Sequence, residues 1–272
     1  MTAFYAGISL DRPIIMAILN ATPDSFSDGG RRLDPTQAVE DGLRFVSEGA
    51  AIIDVGGEST RPGARAVSVD EELRRVLPVV AGLARRDVLV SVDTRRAAVA
   101  RACLDAGARI VNDVSALEDD PDMMPLVASR AAHVVLMHRR GRAEDNYAVP
   151  PYADVVEEVR QYLLERARSC RAAGIPHDRI ALDPGLGFGK STHENLALVK
   201  EAGRLADAGY PLLIGASRKR FVGRITEVAN PGERDPASIW LAVEAARCGA
   251  AILRVHDVAG TRQALAVWMA MR

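Results

Sequence analysis

The 272-residue sequence is short of aromatics, at 4%, and almost without net charge, at a formal −1. Lys plus Arg (35) balances Asp plus Glu (36), so no global basic field points to nucleic acid or an anionic membrane. Cysteine is scarce: Cys103, Cys170 and Cys248 are an odd number, far apart and without CxxC spacing. That argues against a disulfide framework or a Cys-based zinc site and fits a reducing compartment. No run of about 18 apolar residues occurs, so no helical membrane span is expected. Met1 to Arg12 lacks the charged-then-apolar pattern of a signal peptide, which makes a cytoplasmic location the expectation. HExxH and GxSxG are absent, which lowers the prior for a zinc protease or a serine hydrolase.

What is present is a core-forming chain, 48% hydrophobic, with a regular alternation. Eight short apolar runs occur, at Pro13–Asn20, Ala50–Gly56, Val88–Asp93, Arg109–Val114, Ala132–Met137, Arg179–Asp183, Pro211–Gly215 and Ala251–Arg254. Most are rich in Val, Ile and Leu without polar alternation, which suits strands buried on both faces. Helical stretches follow them, at Pro35–Glu48, Asp70–Ala84, Arg96–Ala106, Pro121–Ser129, Tyr152–Ala173, His193–Ala208, Ile239–Arg247 and Thr261–Met271. Asp34 before Pro35 is a helix start, and Gly107, Gly174, Gly209 and Gly249 are helix stops. Eight strand–helix units without a Pro/Ser-rich linker predict one α/β domain over residues 1–272, a closed (β/α)8 TIM barrel. Residues 3–12 are expected to form a short N-terminal hairpin under the barrel. An open doubly wound sheet is second choice, since no GxGxxG opens the first helix.

In such barrels, active sites form at the C-terminal strand ends. Those ends deliver Asn20, Asp54, Asp93-Thr94-Arg95, Asn112-Asp113, Met137-His138, Asp183, Ser217-Arg218-Lys219 and Arg254-Val255-His256-Asp257. Polar residues are expected wherever a chain leaves a core, but here every strand brings them. Asp93, Asn112 and Asp183 suit an N–H-rich planar heterocycle. Arg61, Arg218, Lys219, Arg254 and His256 suit phosphate or carboxylate. Asn20 with Asp28 could hold Mg2+, which takes oxygen ligands and keeps several waters. Gly185-Leu186-Gly187-Phe188-Gly189-Lys190 resembles a phosphate cradle only loosely, and Arg139, Arg140 and Arg142 are expected in a solvated loop.

Six stretches carry a family resemblance: Asn20 to Gly30, Asp54 to Gly63, Asn112 to Ser115, Asp183 to Lys190, Ser217 to Lys219, and Arg254 to Asp257. In that order, across nearly the whole chain, they resemble the dihydropteroate synthases. The first two stretches are the most specific. The resemblance implies a homodimeric (β/α)8 barrel. It implies a transferase of folate biosynthesis that condenses 6-hydroxymethyl-7,8-dihydropterin diphosphate with 4-aminobenzoate to 7,8-dihydropteroate and pyrophosphate. Sulfonamides would inhibit it as aminobenzoate mimics. By matching motif, Asp93, Asn112, Asp183 and Lys219 would hold the pterin. Asn20, Arg254 and His256 would hold the diphosphate, with Mg2+ at Asn20 and Asp28. Thr60, Arg61, Phe188, Ser217 and Lys219 would surround the aminobenzoate. Phe26 and Asp28 lie on the strand 1 loop, which with the strand 2 loop would form mobile lids. Asp93, Lys219, Arg254 and His256 are the expected catalytic set, for a dissociative, SN1-like reaction. Arg220 stands where many members carry Ser. A pterin-dependent methyltransferase domain and a catalytically silent pterin-binding paralogue are the alternatives.

Overall fold

A computed structural model of the chain describes residues 3–21, 34–59, 66–141 and 150–271. It opens with an antiparallel hairpin of β1 (Phe4–Tyr5) and β2 (Ile8–Ser9). The chain then runs through β3 (Ile14–Asn20), α1 (Pro35–Glu48), β4 (Ile52–Gly56), α2 (Val69–Ala84), β5 (Val90–Asp93) and α3 (Ala97–Asp105). It continues through β6 (Ile110–Asp113), α4 (Met123–Ser129), β7 (His133–Met137), α5 (Val155–Ala172), β8 (Ile180–Asp183), α6 (Thr192–Lys200) and α7 (Ala202–Ala206). It ends with β9 (Leu213–Ile214), α8 (Arg220–Thr226), α9 (Asp235–Arg247), β10 (Ile252–Val255) and α10 (Val258–Ala270).

Strands β3 to β10 form one eight-stranded parallel sheet in the order β8-β7-β6-β5-β4-β3-β10-β9. Its two ends meet through one parallel bridge, Leu182 to Leu212, where the Leu182 N–H donates to the Pro211 carbonyl at 2.9 Å. The expected (β/α)8 barrel is thus the observed architecture.

Strand periodicity divides the apolar residues between two layers. Met16, Ile52, Ile110, Val135, Ala181, Leu213 and Ile252 meet inside the barrel. Tyr5 and Ala6 of the hairpin join that cluster, and the Tyr5 ring meets His133 edge-on at 5.2 Å. The hairpin therefore plugs the floor, as the sequence predicts. The alternate residues, among them Ile53, Val55, Val90, Val92, Val111, Val134, Leu182 and Leu253, pack on the helices. Two residues beyond the floor layer, on the inward face, stand Asp54, Asn112, Met137, Asp183 and Arg254.

Helix ends follow local chemistry. The Asp34 side chain accepts the Thr36 N–H at 2.9 Å, Pro35 opens α1, and Gly49 closes it at φ 112°. Pro125 falls in the first turn of α4, where no intrahelical N–H is needed, so the helix survives it. Helix α5 starts at Val155 rather than Tyr152 because Asp154 accepts the N–H groups of Val156 and Glu157, both at 3.1 Å. Helix α10 begins before Thr261 for the same reason: Asp257 accepts the Gly260 N–H at 2.8 Å. The stretch expected as one helix from His193 breaks at Glu201 into α6 and α7. The short helix α8 is absent from the sequence reading. Its seven residues are too few to show a period, and Gly223 lies in its middle. The Arg234 guanidinium lies against Gly223, where any Cβ would collide with it.

Candidate active site

The mouth of the barrel is built around Arg254. From β10 its Nε donates to Asp54 Oδ2 at 2.6 Å, and its Nη2 donates to Asp93 Oδ2 at 2.7 Å. Asp54 also accepts the Asn112 Nδ2–H at 2.9 Å. One guanidinium therefore links the ends of β4, β5 and β10, with β6 held through Asn112. Burial works against the Arg254 charge, but Asp54 and Asp93 outweigh it and keep the guanidinium protonated. Burial pushes Asp93 up to about 7, aided by the charge of Asp54 and opposed by Arg254. On the opposite side, burial raises Asp183, while the Gly185 N–H that it accepts at 2.7 Å and the charge of Lys219 oppose the rise. Burial, with repulsion from Arg254, brings Lys219 down to about 8. Its Nζ stands 4.2 Å from the centre of the Phe188 ring. Phe188 packs with Val114 and Met137 in a small apolar cluster.

At the last strand, Ser217 Oγ lies 2.9 Å from His256 Nδ1 and accepts the His256 backbone N–H at 3.2 Å. Asn20, half-buried, ends β3 beside Gly56 of β4. Strand ends thus bring together Asn20, Asp93, Asn112, Asp183, Ser217, Lys219, Arg254 and His256. Thr60, Arg61, Phe26 and Asp28 lie outside the described residues.

Two features depart from the sequence reading. Asp93 was expected at the pterin and Arg254 at the diphosphate, yet Arg254 sits between two carboxylates, one of them Asp93. Asp54, given no role beforehand, is fully buried and is the partner of both Asn112 and Arg254. Its signal was available, since it is the one charged residue inside the apolar run at β4, and a buried carboxylate needs a partner.

Other strand-end residues serve the scaffold. Arg218, at φ 57°, donates two hydrogen bonds to Asp235, both at 2.7 Å, so it is not a free phosphate ligand. Asp113 accepts from Ser115 N, Ser115 Oγ and Leu117 N at 2.7, 2.7 and 3.1 Å and shapes a buried turn. Arg139 and Arg140 are not simply solvated: they pair with Asp119 and Glu158, and Arg140 stacks 3.8 Å from the centre of the Tyr152 ring.

The glycine loop after β8 is pressed against the loop after β7. Gly185 sits at φ +66°, and a Cβ there would collide with the His138 carbonyl. Gly185→Ala is expected to cost about 1–3 kcal/mol from backbone conformation alone, with more from the collision. Calorimetric unfolding checks this, and an unchanged midpoint would contradict the geometry.

A family model of pterin binding enzymes matches residues 16–256, and the chain belongs to that family. Dihydropteroate synthase of Mycobacterium leprae is 50% identical over 259 residues, covering 93% of this chain and 91% of that protein. The structure of Xanthomonas albilineans dihydropteroate synthase with 4-aminobenzoic acid superposes with a TM-score of 0.91 at 48% identity, covering 97% of this chain and 94% of that one. That of the Yersinia pestis enzyme with a sulfonamide drug gives 0.93 at 43% identity, covering 100% and 99%. Within its family the chain is a transferase of the dihydropteroate synthase group.

Proposed function

We propose that this chain condenses 6-hydroxymethyl-7,8-dihydropterin diphosphate with 4-aminobenzoate to 7,8-dihydropteroate and pyrophosphate, in folate synthesis. The observation that carries the reading is Arg254 bound between Asp54 and Asp93 at the base of a mouth lined by Asn112, Asp183 and Lys219. Asp93, Asn112 and Asp183 offer acceptors and an amide in one buried group, which suits a flat heterocycle rich in N–H groups. Lys219 adds a donor above them. Ser217, His256 and the start of α10 lie beyond the last two strands, a common phosphate position in this fold.

The chemistry follows from charge. As the bond between the pterin methylene and the diphosphate oxygen breaks, the leaving group gains negative charge and the pterin positive charge. His256, with the Arg254 N–H groups not given to Asp54 and Asp93, stabilises the first, and Asp93, with Asp183, the second. Such charges raise the rate when they act more strongly on the transition state than on the substrate. The neutral aryl amine then bonds to the methylene carbon and releases a proton, so no strong protein base is needed. Phe188, Ser217 and Lys219 border the aminobenzoate, with Thr60 and Arg61 of the segment that follows β4 in sequence. Phe26 and Asp28 belong to a lid that excludes water.

Asn20 offers a hard amide oxygen at the end of β3. Mg2+ needs few protein ligands, so this donor fits, with Asp28 as its proposed companion. Bound there, Mg2+ would neutralise diphosphate oxygens.

The same reading takes residues 1–272 as one domain and the protein as a cytoplasmic homodimer open to sulfonamides. No helix among the described residues is long and apolar enough to cross a membrane.

The deciding measurement is pyrophosphate release from the pterin diphosphate, with and without 4-aminobenzoate and Mg2+. Tight pterin binding without aminobenzoate-dependent turnover would favour the silent paralogue and overturn the proposal. His256→Ala is expected to raise KM for the pterin diphosphate by about tenfold, the equivalent of about 1.4 kcal/mol. Unchanged kinetics would remove the residues after β10 from the anion site.

A further inference from the structure

Between Ser217 and Lys219 the chain passes through Arg218 at φ 57°. A residue other than glycine keeps that left-handed conformation where its surroundings over-determine it. Three residues at the start of α9 do so here. Ser238 Oγ accepts the Arg218 N–H at 3.0 Å and donates in turn to the Arg234 carbonyl at 2.7 Å. Arg234 Nη1 donates to the Arg218 carbonyl at 3.1 Å. Asp235 takes the Arg218 guanidinium through both carboxylate oxygens. The N–H, the carbonyl and the side chain of one strained residue are thus all gripped from one helix start.

Arg234 reaches further than that one carbonyl. It is buried, and its guanidinium also donates to the carbonyls of Lys219 at 3.4 Å and Val228 at 2.9 Å, and to that of Ala229. Arg218 and Lys219 precede α8, whereas Val228 and Ala229 follow it. One side chain therefore clasps the backbone on both sides of that helix. The Lys219 carbonyl, which also accepts the Gly223 N–H at 3.3 Å, starts the helix under this clasp. Gly223 leaves the room in which the guanidinium lies. The side chain that this frame presents to the mouth is Lys219. Its ammonium stands 4.2 Å from the centre of the Phe188 ring, within reach of the charges of Arg254, Asp183 and Asp93.

We infer that Arg234 is a positioning residue for the reaction: by fixing the backbone at Arg218 and Lys219 it aims the Lys219 ammonium at the two substrates. The inference rests on the proposed condensation, which makes Lys219 a contact of both the pterin and the aminobenzoate. The Arg234 guanidinium is turned to main-chain carbonyls rather than to the mouth, so its effect on the reaction passes through Lys219.

The test is a double-mutant cycle on kcat/KM toward each substrate, with wild type, Arg234→Met, Lys219→Met and the double variant, all assayed well below their melting temperatures. Methionine keeps an unbranched stem and removes every donor. Arg234→Met is expected to lower kcat/KM about tenfold or more, the equivalent of about 1.4 kcal/mol. In the Lys219→Met background the same change should cost less than about threefold, or about 0.65 kcal/mol, because the group it aims is gone. Equal losses in the two backgrounds would leave Arg234 a scaffold residue and overturn the inference, as would an unchanged kcat/KM for Arg234→Met. Ser238→Ala frees the Arg218 N–H from the same frame and should give a smaller loss that again depends on Lys219. It carries the cycle should Arg234→Met fail to fold. Gly174→Ala is the stability control: Gly174, at φ +93°, lies between α5 and the start of β8, away from the mouth. It should lower the melting temperature and leave kcat/KM unchanged. A kinetic loss there as large as that of Arg234→Met would also overturn the assignment. Wild-type turnover in the same assay keeps the two ideas apart: without it the condensation itself fails, and with it only the role of Arg234 is at stake.

Discussion

Asp93→Asn is expected to lower kcat by roughly 10²- to 10³-fold, in the range seen when one preorganised charge-stabilising group is removed. Binding of the pterin diphosphate should weaken far less, by under about tenfold, or about 1.4 kcal/mol. The asymmetry follows from what each charge meets. The carboxylate acts on positive charge that the pterin gains only as the diphosphate departs. Asparagine keeps the shape and can still accept from Arg254, so ground-state contacts persist. Turnover measured alongside titration of the bound diphosphate separates the two quantities, and equal losses in both would remove Asp93 from the transition state. A pH signature accompanies the effect. Burial lifts Asp93 to about 7, and the ionised form is the useful one. The wild-type kcat/KM should therefore rise as pH increases through about 7 and lose activity below it. Asp93→Asn, having no proton to lose, should lack that limb.

The second large effect is expected at Asp54. Asp54→Ala removes the shared acceptor of Asn112 and Arg254 from a fully buried position. Breaking one side of such a buried pair costs about 3–5 kcal/mol, because the remaining charge stays inside without compensation. For a chain of this size that corresponds to a fall in melting temperature on the order of 10 °C. Activity should fall with it even well below the melting temperature, since Arg254 would then be held by Asp93 alone. Asp54→Asn is the control: it preserves volume and one acceptor, and should recover much of the stability but less of the activity. A melting temperature within about 1–2 °C of wild type for Asp54→Ala would show that the carboxylate holds little together.

The sequence made the barrel readable because each strand is a short apolar run bounded by helix signals that obey local rules. Asp34-Pro35 before α1 and the glycines after the helices are decided by residues a few positions apart. The site was partly readable for a related reason: a strand end is a known place in a barrel, so Asp93, Asn112, Asp183 and Arg254 could be put at one mouth. Their pairing was not readable. Asp54 finds its partners 58 and 200 residues later, and nothing in the β4 run names either one. Lys190 donates to the carbonyls of Gly185 and Phe188, a direction set by the positive φ of Gly185, Gly187 and Gly189 rather than by anything the composition of the loop announces. Arg218 looked like an anion ligand until Asp235, seventeen residues on, claimed its guanidinium.

The barrel wall is stitched along seven of its sides by regular ladders and tacked on the eighth by Leu182 and Leu212 alone. Amide exchange should be fastest across that seam among the wall strands, because one bridge must open rather than a ladder. The seam also divides the proposed pterin contacts: Asp183 ends the strand on one bank, and Lys219 follows the strand on the other. A heterocycle gripped by both would act as a suture laid across the weakest join of the wall. Filling the mouth should then slow exchange at the Leu182 amide, a group that touches no substrate and lies below the chemistry.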